Sequence, residues 1–437
     1  MATGYILNMV NLEILNQKEM MKLFNNLLAA LFVVVVLADC QTKNKDKSKL
    51  DVNMGEYVKG TFGYDLKLLK DHKEVIVLKS KDGMSQVAIC PEYQGRIMTS
   101  TAEGANGYSF GWLNHELIKS GEILEHFNPI GGEERFWLGP EGGQFSIFFK
   151  PESSFDFGNW YVPKEIDTES FNTINTSESG VSFEKDMVLV NYSKTKFDLS
   201  VKRTVRLLDR GQVSGNLNVE ISEELKLVGF ESENTITNKG ENAWTKESGM
   251  LSVWILSMLN PSPETTVVVP FKTGDESELG KIVTDDYFGK VPSDRLVVKD
   301  GVILFKADGK KRGKIGVSPK RALPILGSYD AKNEVLTVAQ FTLKEGAMDY
   351  VNSMWEIQEH PFVGDAVNSY NDGPLEDGEQ MGPFYEIESS SPAAALQSGE
   401  SLTHTHRTYH FKGNKNDLNA LAVSLFGVDL TTITSGI

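Results

Sequence analysis

Three of the chain's seven histidines fall in one short run, Ser401-Leu-Thr-His-Thr-His-Arg-Thr-Tyr-His-Phe411. In an extended strand side chains alternate, so Leu402, His404, His406 and His410 share one face while Tyr409 and Phe411 take the other. Side chains two apart on a strand lie about 7 Å from each other, close enough for His404 and His406 to share a metal if a third ligand arrives. In an open cleft the same pair would instead serve as acid–base groups near neutral pH. Just upstream, Tyr385-Glu386-Ile387-Glu388 alternates in the same way. Glu386 and Glu388 share one face, and Tyr385 and Ile387 turn toward a core. A carboxylate facing an imidazole is the minimum equipment for moving a proton on and off a hydroxyl group. The plainer alternative for the histidine run is a partly exposed polar sheet face.

Two further stretches gather polar and aromatic residues between glycines. Asn128-Pro-Ile-Gly-Gly-Glu-Glu-Arg-Phe-Trp-Leu-Gly-Pro-Glu-Gly-Gly143 carries Arg135, Trp137 and Glu141. A flat ring suits the C–H face of a pyranose, and charged groups make paired hydrogen bonds to adjacent hydroxyls. Trp137 with Arg135 and Glu141 offers both. Alternatively, Phe136 and Trp137 enter a core and Arg135 closes a structural ion pair. The second stretch, Glu359 to Pro374, offers His360, Asp365, Asn368, Tyr370 and Asp372. A Ca²⁺ site would want several oxygens this close in sequence. The spacing is not that of an EF-hand, however, and Asn371-Asp372-Gly373-Pro374 is a turn signal on its own. His115 in Trp112-Leu-Asn-His115 is a candidate from the N-terminal half. No cofactor and no dedicated metal set are predicted.

The elements that must position these residues are strands. The pattern from Tyr57 onward has period two, clearest in Phe197–Leu207, with other runs at 74–79, 85–90, 144–149, 187–191, 226–231, 302–307, 335–343 and 401–411. Val, Ile, Phe and Thr fill them, and Gly, Asn, Asp or Pro bound them. So many strands without alternating helices predict an all-β, mainly antiparallel architecture of sheets packed face to face. Both polar stretches read as irregular loops on that scaffold, where binding usually lives. One helix is predicted, after Asn416 or Asp417, through LNALAVSLFGVDL. No repeat and no Pro/Gly/Ser-rich linker divides the region, which predicts a single domain over 57–437.

The N-terminal residues have a different composition. Leu27 to Ala38 is an unbroken apolar run of twelve residues that follows Lys22 and ends at Leu37-Ala38-Asp39-Cys40. It is too short for a hydrocarbon core that needs roughly 20 residues, and it fits a signal-peptide h-region. Residues 1–39 are therefore read as a signal, with initiation at Met20 or Met21, and the wholly polar QTKNKDKSK after Cys40 as part of a tether over 40–56. Cys90 is the one other cysteine. No intramolecular disulfide is expected, so burial must hold the fold. A formal charge of −16 argues against nucleic acid and anionic surfaces as partners and fits neutral or cationic ligands.

Cys40 resembles the acylated cysteine of bacterial lipoproteins, with Asp39 departing from the small residue usual there. The resemblance implies export and a lipid anchor in the cell envelope, and Gln41 points to the outer membrane or periplasm. Val87-Ala-Ile-Cys-Pro-Glu-Tyr-Gln-Gly-Arg-Ile-Met-Thr-Ser100 resembles the opening strands of galactose-mutarotase-like proteins. Gly131-Gly-Glu-Glu-Arg-Phe-Trp-Leu-Gly-Pro-Glu141 resembles an element of their uncharacterised exported relatives. Tyr385 to Glu400, running into the histidine strand, looks like their last sandwich strands. The resemblance implies a β-supersandwich with a short C-terminal helix and a carbohydrate-binding cleft. Aldose 1-epimerases in that group use a histidine acid and a late glutamate base inside family motifs. Here Asn114-His115 is a fragment of the first motif, and Glu386 or Glu388 matches the second by position alone. The expectation is an anchored protein that binds a carbohydrate and, in its catalytic version, moves a proton with His404 or His406 and Glu386 or Glu388. Arg135, Trp137, Glu141, His115, His360, Asn368, Tyr370 and Asp372 would hold the ring. The alternatives are a non-catalytic glycan-binding lipoprotein and a metal-dependent protein using His404 and His406.

Overall fold

The computed structural model describes residues 57–375 and 378–437. The signal, Cys40 and the tether lie outside the described residues. Among the described residues, eighteen strands form three antiparallel sheets. The largest has ten strands in the order Leu296–Lys299, Val302–Lys306, Thr265–Pro270, Ile325–Asp330, Val335–Phe341, Ser401–Lys412, Lys226–Asn238, Lys196–Leu208, Gly180–Val190, Asn172–Thr176. A five-stranded sheet follows the order Gly313–Val317, Val367–Asn371, Tyr385–Ser390, Ser252–Leu256, Arg135–Gly139. Ile76–Lys79, Gln86–Cys90 and Arg96–Thr101 make the third. The fold is all-β with few helices, as its period-two pattern predicts.

Alternation explains the layers. In Lys196–Leu208, Phe197, Leu199, Val201, Arg203 and Val205 turn inward while the residues that alternate with them are less buried. The five-stranded sheet packs one face on the large sheet, where Ile315, Val367, Tyr385 and Ile387 meet Val267, Ile303, Leu326 and Phe341. The opposite face of the large sheet is covered in part by C-terminal helices, through Leu418, Leu421, Phe426, Leu430 and Ile433 against Leu336, Val338, Tyr409 and Phe411. The histidine strand is therefore central, with Tyr409 and Phe411 under the helices and the histidines between the sheets.

Several expectations need correcting. Gln144–Phe149 is not a strand: the Ser146 hydroxyl donates to the Glu141 carbonyl and accepts the Phe148 N–H, which turns the chain. Neither polar stretch is wholly a loop, because Arg135–Gly139 and Val367–Asn371 are strands buried at every position. A strand covered on both faces loses its alternation and so reads as irregular. The helix Phe62–His72 carries no capping side chain at Thr61 and went unpredicted. The C-terminal helix begins earlier than expected, at Lys415, because the Asn414 side chain accepts the N–H groups of Asn416 and Asp417. Leu430–Ser435 adds a second short helix. Among the described residues, no helix is long and apolar enough to cross a membrane.

Candidate functional site

The face of the five-stranded sheet turned away from the large sheet carries a cavity. Register places its floor residues side by side: Lys314 opposite Tyr370, Tyr370 opposite Glu386, Arg135 opposite Leu256 and Trp137 opposite Trp254. Loops supply the walls, including Phe127, Trp160, Phe288, Arg312, Trp355 and Phe384, with the exposed Phe157 and Met381 at the rim. The cavity has about 570 Å³ of atom-free space counted to its open mouth. Four of the six tryptophans line it.

Charge is concentrated on the floor. Arg135 Nη2 lies 2.5 Å from Glu386 Oε1, and its guanidinium sits 4.6 Å from the Trp137 ring centre. Lys314 Nζ lies 3.2 Å from Glu388 Oε2, which also accepts the Trp254 indole N–H at 2.8 Å. Burial pushes the Glu386 carboxyl up to about 8 against the pull of Arg135, with Glu388 adding to the rise. Burial also raises Glu141, against the attraction of Lys314. For Lys314, burial alone would lower the ammonium, but Glu388, Glu141 and Glu386 together outweigh it and raise the pKa. Burial keeps the Tyr370 phenol protonated, and its hydroxyl donates to Asp372 at 2.9 Å.

Hydrogen-bond donors here are incompletely used. Among the described residues, Arg135 Nε and Nη1, Trp137 Nε1 and Trp160 Nε1 are buried without a partner. Buried polar groups are ordinarily paired, so unpaired donors around one cavity mark where an oxygen-rich ligand would be held.

The predicted residues divide. Arg135, Trp137, Glu141, Tyr370 and Glu386 meet in this cavity, while Glu388 and Asp372 stand behind them as partners of Lys314 and Tyr370. Asn368 lines a small neighbouring cleft, where its amide donates to the Tyr287 hydroxyl. His115 bonds Asp65 at 2.8 Å, and His360 is on an exposed loop. Neither lines the cavity.

The structure does not bring His404 and His406 to it either. Both are buried between the sheets, where the Ser389 hydroxyl lies 2.8 Å from His404 Nε2 and 2.9 Å from His406 Nδ1. Burial pushes both imidazoles down to about 3, aided by His406 at His404 and by Arg203 at His406. They are neutral interior groups, and the expected open cleft around them is corrected to a closed interface. Among the described residues, no group of three or more His, Cys, Asp or Glu side chains is arranged to hold a metal ion. The third histidine, His410, lies 2.5 Å from Glu133 and stacks on Phe110.

Sequence reasoning missed Lys314, Arg312, Trp160, Trp254 and Trp355. A lysine inside the apolar strand Gly313–Val317, buried at every position, was the available signal. The wall tryptophans left none beyond their residue type.

Fold and cavity together define a β-sandwich protein with an aromatic-walled, charged cavity on the outer face of its five-stranded sheet. The chain belongs to a family of unknown function (DUF6786), whose model matches residues 60–437. No curated protein matches it. Among solved structures it is similar to a galactose mutarotase-like protein from Lactobacillus casei, at 10% identity, 77% of this chain, 100% of that chain and a TM-score of 0.45. It is also similar to an aldose epimerase homologue from C. elegans, at 11% identity, 78% of this chain, 99% of that chain and a TM-score of 0.41.

Proposed function

We propose that this protein binds a carbohydrate in the cavity on the five-stranded sheet. One observation carries the reading: aromatic rings line the cavity together with Arg135, Trp137 and Trp160, each of which keeps at least one N–H without a partner. Rings cover the apolar face of a sugar, and spare donors take its oxygens. Four lining tryptophans make the test direct. Titrating glucose, galactose and mannose, their uronates and short oligomers against intrinsic fluorescence is expected to give saturable quenching. Arg135→Ala is expected to abolish that quenching, and a flat response to every sugar would overturn the reading.

A second, catalytic reading is favoured by Glu386, whose carboxyl holds a proton near neutral pH beside the bound ring. Glu386 would then be the acid–base group, without a histidine partner in the cavity. Polarimetry of freshly dissolved sugars separates the readings. A catalyst speeds the approach to anomeric equilibrium and Glu386→Gln stops it while binding persists; a binding protein leaves the rate unchanged.

We also propose export and anchoring through Cys40, supported by the Leu27–Ala38 run before it. Mass spectrometry of the mature N-terminus tests this, and a free thiol at Cys40 would contradict it.

A further inference from the structure

The sugar-binding reading leaves one cation of the cavity unassigned. Arg312 lines the wall, its guanidinium 4.0 Å from the centre of the Phe288 ring. Arg135 holds Glu386 and Lys314 holds Glu388. Among the described residues, Arg312 has no ion-pair partner, and its buried Nε has no hydrogen-bond partner. Glu141 feels it only through space.

The backbone that presents Arg312 is fixed. Asn371 donates to the Lys311 carbonyl at 2.9 Å and accepts the Gly309 N–H at 2.8 Å. Gly373 packs so closely that a Cβ there would stand 2.4 Å from the Arg312 backbone nitrogen. A guanidinium stacked on a ring, launched from a held backbone and lacking a carboxylate, is ready for an oxyanion: its planar fork matches one bidentately. The other cavity charges leave room for this. Lys314 balances Glu388, while burial favours the protonated form of both Glu141 and Glu386 and so leaves the Arg135 charge uncompensated. The overall charge of −16 describes the whole chain; within a cavity, local groups set the potential.

We infer that the sugar bound here carries an oxyanion, the carboxylate of a uronic acid or the phosphate of a sugar ester, and that Arg312 receives it. The inference rests on the sugar-binding reading and narrows its substrate class. The local site thus reverses the preference for neutral or cationic ligands that net charge alone suggests.

The test titrates tryptophan fluorescence with glucose, galactose and mannose, their uronates and their 6-phosphates, using the wild type, Arg312→Gln and Arg312→Lys. At least one anionic form is expected to bind the wild type about tenfold or more tighter than its parent hexose, the scale of a desolvated charge pair. Arg312→Gln should bring that ratio to about two or less, and Arg312→Lys should recover part of it, since charge survives while the fork is lost. Uronate or phosphate preference identifies the oxyanion. Equal affinity for a hexose and its anionic forms, or an unchanged ratio in Arg312→Gln, overturns this inference and leaves sugar binding intact. No quenching by any sugar overturns both. Unchanged melting of the variants excludes misfolding as the cause of a lost ratio.

Discussion

Two buried Arg–Glu pairs lie on opposite sides of the five-stranded sheet, carried by the consecutive residues Glu134 and Arg135. Glu134 faces the large sheet, where Arg203 Nη2 meets it at 2.8 Å. Arg203 also donates to the Asn234 side chain at 2.6 Å and the Gly95 carbonyl at 3.1 Å, so each guanidinium nitrogen is engaged. Arg135 faces the cavity, spends one nitrogen on Glu386 and leaves two without partners. The same ion pair is a fastener on one side and, in the proposed function, a receptor on the other. What separates the two is donor occupancy, since both arginines are almost fully buried. The preceding glycines make the junction possible: Gly131 and Gly132 have φ of +96° and +117°, and a Cβ on them would lie 2.1 Å from the Trp112 carbonyl and 2.5 Å from Arg96 Cδ.

The sharpest way to break this comparison is to remove each arginine. Arg203→Ala should cost about 3–5 kcal/mol of stability in chemical denaturation, because Glu134, Asn234 and the Gly95 carbonyl all lose their partner between the sheets and burial already raises the Glu134 carboxyl. Arg135→Ala should cost less, about 1–3 kcal/mol, because only one of its nitrogens is bonded and burial already favours the protonated Glu386 carboxyl, and it should abolish ligand quenching. Restored stability without restored binding in Arg135→Ala/Glu386→Ala would sharpen the contrast. If Arg203→Ala folded and lost sugar binding selectively, the division into fastener and receptor would fail.

The two sides should also answer pH in opposite directions. His404 and His406 have folded pKa values of about 3, below the ordinary 6.5. The unfolded chain therefore binds more protons, and their contribution, complete above about pH 6.5, is lost as pH falls toward 3. Glu386, at about 8 against an ordinary 4.5, behaves oppositely: its contribution is complete below 4.5 and lost as pH rises through 8. Denaturation midpoints measured from pH 3 to 9 should show both limbs. Glu386→Gln is expected to flatten the alkaline one and leave the acid one in place.

The smallest effect expected is from Trp160→Phe, which keeps the ring and deletes the unpaired N–H. Sugar affinity should fall about fivefold, near 1 kcal/mol, with melting unchanged. An unaltered affinity would mean that this donor does not face the ligand.

Much of this arrangement was legible in the sequence because alternation survives wherever a sheet has one polar face. Glu386 and Glu388 do share a face opposite Tyr385 and Ile387, and His404 and His406 do point the same way. What alternation cannot say is which face meets another sheet, so the histidines read as cleft groups when they are interior ones. Lys314 and Trp254 were hidden because their strands are buried throughout. Trp160, Arg312 and Trp355 lie on loops, where no periodicity predicts which side chains converge.

Arg135 and Glu386 stand 251 positions apart in the chain. Their contact waits for sheet pairing across most of the sequence, and such long-range closure is slow relative to local structure. The proposed binding site is therefore expected late in folding: a chain shortened before Tyr385 would retain Arg135 and all four cavity tryptophans, yet lack the carboxylate that orients the guanidinium. Ligand capture thus doubles as a readout of completed assembly, and a sugar would select finished molecules from a mixed population of folding intermediates.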